Sequence, residues 1–234
     1  RGAANLHVPP EELGQALEVL ANHGAQGRPL ESGHPMAHRN PPAPSLPEPA
    51  WLPPGGARSA MDAVDDWFVE LAKANPALRV RIGNPDELAS NKMGHTLELL
   101  RHRVNEPEPG VPEDVHGAVI TVAAAALGNK GGLNLIVSYE AFAVKMLGLM
   151  RQEIIFARHQ RQAGNPPQWL PVPLIVTSHT WENAKNEQSH QDPTIGEALL
   201  GEVADTARVL FPVDGNSAMA ALRDVDAVRG QLSG

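Results

Sequence analysis

The spacing of apolar residues changes character along the chain. Between Pro9 and Asn22, Leu13, Leu17 and Leu20 recur on one helical face, which predicts a short helix. Pro29 to Gly56 then carries nine prolines and little apolar content. Proline fixes φ and removes a backbone donor, so this stretch reads as an extended linker lying over a surface. From Ser59 the pattern becomes regular. Met61, Val64, Trp67, Phe68 and Leu71 recur at helical spacing, Arg79 to Ile82 reads as a short strand, and Gly83-Asn84-Pro85 as a turn. Asp86 to Arg101 predicts a helix. Val119 to Val122 is a strand or a helix start, and Ala123 to Leu127 favours helix.

Beyond that point, Leu133 to Val137 reads as a buried strand, followed by one long helix from about Tyr139 to Gln162. Leu174 to Thr177 is the next strand, Ile195 to Val203 a helix, Arg208 to Phe211 a strand and Ser217 to Val228 a final helix. Gly230 to Gly234 carries no closing element, and no internal repeat is present. Strands alternating with helices imply an α/β fold, a mostly parallel sheet flanked by helices. The expected organisation is a proline-rich leader with a short helix over residues 1–57 and an α/β domain over 58–234.

Composition narrows the partners. A net charge of −8 and a pI near 5.7 argue against a nucleic-acid partner, which calls for a basic stripe. With no cysteine, neither a disulfide framework nor a Cys-based zinc site can form. No N-terminal signal pattern appears, and no apolar run approaches the ~18 residues of a membrane span. The expectation is a cytoplasmic protein that engages neither membrane nor nucleic acid. Because the first residue is Arg, the chain reads as a piece of a longer polypeptide.

The richest chemistry lies from Val172 to Pro193, where an apolar strand empties into a loop rich in His, Asn, Gln and Ser. Open α/β sheets bind ligands in such loops, at the carboxyl ends of parallel strands. Upstream, Ser138 to Phe142 sits at a strand-to-helix junction. Tyr139, the only tyrosine, and Phe142 share a helical face. They form either a stacking wall for a flat heterocycle or a pair of core aromatics. His190 reads by itself as a surface or capping histidine whose neighbours can fix its tautomer. Asp192, before a proline, suits the N-cap of the helix at Ile195. Pro85 to Lys92 opens a helix, either as an anion-binding turn or simply as a cap provided by Asp86. Gly128-Asn129-Lys130-Gly131-Gly132 lacks the spacing of a phosphate loop and reads as a turn. His34 and His38 lie in the linker without a carboxylate partner and read as a solvated pair, so no metal ligand is assigned.

Ser138-Tyr139-Glu140-Ala141-Phe142, followed after a strand by Ser189-His190-Gln191-Asp192-Pro193, resembles the phosphoketolases. These are thiamine-diphosphate enzymes that cleave ketose phosphates, and the resemblance runs from Asp62 to Arg229. It implies the pyrimidine-binding domain of a homodimeric enzyme. Such an enzyme takes xylulose 5-phosphate or fructose 6-phosphate, with orthophosphate, to acetyl phosphate and a shorter aldose phosphate. Tyr139 and Phe142 then pack on the cofactor's aminopyrimidine ring, and His190 carries proton transfer. Ser90, Lys92, Asn183, Lys185 and Asn186 contact phosphate or sugar, while His179 and Trp181 shape the loop and Glu140 is structural. The Mg²⁺ that accompanies thiamine diphosphate belongs to a separate diphosphate-binding domain, and a C-terminal domain follows in the family.

Three positions depart from the family pattern. Lys92 stands for an Arg, keeping charge but losing the bidentate fork. Lys185 stands for a His, a change that raises the alternative of epimerisation or ketol transfer on the same sugar phosphates. No Glu occurs between Glu113 and Glu140, where the family carries the one that activates the pyrimidine. Thr121-Val122-Ala123 is where residues would be missing: either the sequence skips the stretch that bears this Glu, the favoured reading, or the Glu is lost, which describes a non-catalytic paralogue.

Overall fold

A computed structural model describes residues 7–25, 40–101, 119–120, 130–177, 189–202 and 205–233. The chain forms two compact units, Arg1–Arg39 and Asn40–Gly234. The first holds α1 (Pro10–Ala25), with Glu11 and Glu12 in its first turn, where the helix dipole favours acids. Its Leu13, Leu17 and Leu20 are exposed.

In the second unit the described strands form one six-stranded parallel sheet in the order β2-β1-β3-β4-β6-β5. They are β1 (Val80–Gly83), β2 (Val119–Ile120), β3 (Leu133–Tyr139), β4 (Val172–Thr177), β5 (Ala207–Arg208) and β6 (Leu232–Ser233). Two helices cover one face, α2 (Ala60–Ala74) and α7 (Gly215–Ala227); Trp67, Phe68, Leu71, Met219 and Leu222 pack with Leu133, Leu135 and Val137. The other face carries α5 (Leu147–Gln162) and α6 (Thr194–Leu200), whose Met150, Ile154, Ile195 and Leu199 pack with Ile136, Val172 and Leu174. Successive β3 side chains thus feed opposite layers, and the strand is buried on both sides as a parallel sheet requires.

Four expectations are corrected. The helix predicted over Asp86 to Arg101 is a series of turns to Lys92, followed by α3 (Gly94–Leu100). Lys92 adopts φ 64°, a left-handed conformation that ends any helix passing through it. Asp65 of α2 then accepts from the amides of His95 (2.9 Å) and Thr96 (2.8 Å), so α3 is capped from another helix. The long helix after β3 is α4 (Glu140–Ala143), a 3₁₀ turn (Val144–Met146) and α5. The strand predicted over Arg208 to Phe211 is Ala207–Arg208. The chain also has a closing element, β6, seated between β4 and β5. The helix expected over Ala123 to Leu127 lies outside the described residues.

Residues 40–58 run without regular structure along this unit. An extended proline-rich segment has few internal partners for its backbone, and two Asn side chains supply them. Asn75 accepts from the Ser45 amide (2.7 Å) and donates to the Ser45 carbonyl (2.8 Å). Asn216 does the same for Leu52, at 2.8 and 3.0 Å.

Gly230 leads into β6 with φ 64° and donates to the Trp169 carbonyl at 2.9 Å. A Cβ there would lie 2.3 Å from Pro167 Cγ and 2.8 Å from the Pro167 carbonyl oxygen. Gly230→Ala is therefore expected to destabilise the protein by about 3 kcal/mol, combining left-handed strain with overpacking. Urea denaturation checks this; a loss below about 1 kcal/mol would show that the turn relaxes freely.

Candidate functional site

The chain leaves β1 toward β2 on one side of the sheet and leaves β3 toward β4 on the other, so the order switches between β1 and β3. Ligands of open α/β sheets bind at that point, beyond the carboxyl ends of the strands. A cleft of about 810 Å³ lies there, walled on one side by Pro85, Asp86, Glu87 and Ser90 after β1. Tyr139, Phe142, Lys145, Met146, Leu149 and His190 line the rest.

Three rings meet on this wall. The Tyr139 and His190 centroids are 4.7 Å apart, edge to face. Phe142 and His190 are 5.5 Å apart, also edge to face, and Tyr139 and Phe142 are 6.1 Å apart and tilted. Such arrangements match positive ring edges to negative faces. Tyr139 and Phe142 are half-buried and belong to neither core cluster. The pair therefore lines the cleft and is not part of either core.

The loop bearing His190 is fastened at its base. Ala141 donates its amide to the His190 carbonyl at 3.0 Å. Glu140 is buried, and its carboxylate accepts from the Asp192 amide at 2.8 Å. Ser189 Oγ lies 2.7 Å from His190 Nδ1, a contact able to set the tautomer. Asp192 accepts from the Thr194 amide at 3.0 Å, just ahead of α6. The Thr194 hydroxyl, then its amide, hold the Asp192 carboxyl below the usual carboxylate range.

Asp86 does not cap a helix as expected, because turns rather than a helix follow it; it gathers side chains and the β3 backbone instead. Its Oδ1 accepts from Asn84 Nδ2 (2.7 Å) and Asn91 Nδ2 (2.8 Å), and its Oδ2 from Ser138 Oγ (3.0 Å) and the Tyr139 amide (2.8 Å). Asn91 also accepts from the Thr177 hydroxyl at the end of β4. One side-chain network therefore joins the carboxyl ends of β1, β3 and β4.

The structure brings Ser90, Tyr139, Phe142 and His190 to one cleft. Ser90 Oγ donates to Glu87 Oε2 at 2.6 Å. Lys92 is exposed and is not part of the cleft lining. The lysine that is there, Lys145, was missed by the sequence reading; its ammonium lies 5.3 Å from the Phe142 ring centroid. The available signal was spacing, since Lys145 follows Phe142 by one helical turn. Asn183, Lys185, Asn186, His179 and Trp181 lie outside the described residues, as do His34 and His38. Lys130, from the glycine-rich turn, pairs with Glu153 and sits over Trp169, which gives it a structural role. Among the described residues, no group of three or more His, Asp or Glu could hold a metal ion. None of their helices is long and apolar enough to cross a membrane.

Fold and cleft together define a three-layer parallel α/β domain with an aromatic-walled cleft at its switch point. The profile of the family described as D-xylulose 5-phosphate/D-fructose 6-phosphate phosphoketolase matches residues 62–226. The chain belongs to the phosphoketolase family. It is 29% identical over 164 residues to the "Probable phosphoketolase" of Brucella abortus (strain 2308), covering 65% of this chain and 21% of that protein. It is 25% identical over 233 residues to the protein of the same name from Nocardia farcinica (strain IFM 10152), covering 90% and 28%. The chain thus spans about a quarter of the length of these curated relatives.

Proposed function

We propose that this chain is the pyrimidine-binding domain of a phosphoketolase-like lyase. The reaction converts xylulose 5-phosphate or fructose 6-phosphate, with orthophosphate, to acetyl phosphate, an aldose phosphate shorter by two carbons, and water. The observation that carries the reading is the convergence of Tyr139, Phe142 and His190 on one cleft at the switch point. The reading extends to a homodimer acting in the cytoplasm, completed by the diphosphate-binding domain of the same protein, which would hold the Mg²⁺.

The wall suits a flat heterocycle, with aromatic side chains on an open cleft of about 810 Å³. Tyr139 and Phe142 would hold the pyrimidine ring of thiamine diphosphate, whose thiazolium supplies the carbanion chemistry when bound. The side chains of the chain itself do simpler work. Tyr139 and Phe142 orient a ring and exclude water from its face. His190, with Nδ1 against the Ser189 hydroxyl, holds or moves a proton at its imidazole. Ser90 and Lys145 line the cleft where sugar hydroxyls or phosphate would contact them. Asn183, Lys185 and Asn186 are proposed to complete that contact set, with Lys92 at its periphery.

The test is calorimetric titration of thiamine diphosphate with Mg²⁺ into the full-length protein, followed by an acetyl phosphate assay with xylulose 5-phosphate. Binding with orthophosphate-dependent acetyl phosphate supports the proposal. Binding without acetyl phosphate favours other ketose-phosphate chemistry, in line with Lys185. No binding favours the non-catalytic paralogue, in line with the missing Glu between Glu113 and Glu140.

Lys145→Ala is expected to raise the KM for xylulose 5-phosphate about 10-fold, the worth of one charge-assisted contact. Steady-state kinetics with the Arg variant alongside check this; an unchanged KM would remove Lys145 from the phosphate contacts.

A further inference from the structure

β1 ends at Gly83, opposite Ile136, while β3 runs on to Tyr139. Among the described residues, the backbone groups of β3 beyond Ile136 that face β1 have no strand partner there. Two side chains from the loop after β1 provide one. Asn84 Nδ2 donates to the Val137 carbonyl at 2.7 Å, and Asp86 Oδ2 accepts from the Tyr139 amide at 2.8 Å. Carbonyl 137 and amide 139 are the two groups a parallel neighbour would pair next. Asn84 and Asp86 thus extend the ladder in place of β1.

The four donors on Asp86 are not equally dependent on it. Asn84 retains the Val137 carbonyl, Asn91 retains the Glu87 carbonyl (2.8 Å), and Ser138 Oγ lies 3.1 Å from the Tyr139 carbonyl. Among the described residues the Tyr139 amide has no second acceptor of this kind. Tyr139 in turn supports His190 across 4.7 Å. We infer that Asp86 is a positioning residue: it replaces the missing strand as acceptor for the Tyr139 amide, and so holds the Tyr139–His190 ring pair on the cleft wall. Its link to catalysis rests on the function proposed above; its effect on the ring pair does not.

The catalytic arm uses the full-length protein and a double-mutant cycle. Asp86→Ala is expected to lower kcat about 10- to 100-fold with KM changed less than about 3-fold. In a Tyr139→Ala background the same change should cost less than about 3-fold, because Asp86 then has no ring to position. Asp86→Asn should restore most of kcat, since its oxygen can face the Tyr139 amide while Asn84 and Asn91 turn to their other acceptors. Additive losses, or a rise in KM alone, would overturn the inference.

The second arm needs no turnover. Tyr139 is the only tyrosine in this chain, so 3-fluorotyrosine labelling gives a single ¹⁹F resonance. In the wild-type chain that resonance should carry a ring-current shift from the His190 imidazole, and His190→Asn should abolish the shift. Asp86→Ala should abolish it too, with far-UV circular dichroism unchanged, and Asp86→Asn should retain it. If Asp86→Ala does not fold, Asp86→Leu, of similar shape but without an acceptor, is read instead. A wild-type-like shift in the variant lacking the acceptor overturns the inference. Absence of acetyl phosphate from the wild type overturns only the catalytic reading, and the fluorine result still decides the role of Asp86.

Discussion

Replacing His190 by alanine in the full-length protein is expected to lower turnover by about 10²- to 10⁴-fold, the usual contribution of a positioned acid–base group. The geometry behind this figure is specific. Ser189 engages Nδ1, and among the described residues Nε2 has no hydrogen-bond partner. The ring is held edge-on by Tyr139 and Phe142, and the backbone is tied to Ala141. Alanine removes the proton carrier and also part of the packing. His190→Gln keeps more of the bulk without the imidazole and should be almost as inactive. Single-turnover formation of acetyl phosphate, followed against pH, separates the two effects. Turnover within about 3-fold of wild type in both variants would exclude proton transfer by His190.

A second large effect concerns stability. Asp226 on α7 is 5% exposed, and its Oδ2 accepts from Trp67 Nε1 at 3.0 Å across the α2–α7 contact. Burial pushes its carboxyl up to about 7, against an opposing pull from the indole hydrogen bond. Between the ordinary carboxylate value near 3.8 and about 7, the folded state keeps a proton that the unfolded chain has released. Stability therefore falls as pH rises through that window and levels off above it, by up to about 4 kcal/mol. Asp226→Asn should remove this slope while leaving a shape-matched acceptor for Trp67. Its unpartnered amide hydrogens cost about 1–3 kcal/mol at every pH, so the variant should be less stable than wild type near pH 4 and equal or better at pH 8. Urea midpoints at pH 4, 6 and 8 test this. Parallel wild-type and variant curves would refute it.

The sheet and the ring wall were legible because their signals are local. Leu133 to Val137 is apolar apart from Asn134, the pattern of a strand buried on both faces. Tyr139, Phe142 and His190 lie in short motifs read directly. What escaped was set by distant residues. The turn through Asp86 to Lys92 reads as helix because its alternative depends on Ser138 and Tyr139, about fifty positions away, and on Asp65 capping α3 from α2. Leu232–Ser233 is too short to show a period, and only its place between β4 and β5 makes it a strand. Lys145 looked like any exposed helix lysine until the cleft appeared beside it.

The position of β6 bears on how the chain is made. β5 pairs with β6 and has no other described neighbour in the sheet. As the polypeptide leaves the ribosome, β1, β3 and β4 can associate while β5 waits through the whole of α7 for β6. One half of the sheet can therefore assemble before α7 is made, whereas the other half must wait for two residues that follow α7 and need the φ of Gly230 to reach their slot. A stall or cleavage ahead of that turn would leave an open edge on β4, the kind of surface on which sheets add foreign strands.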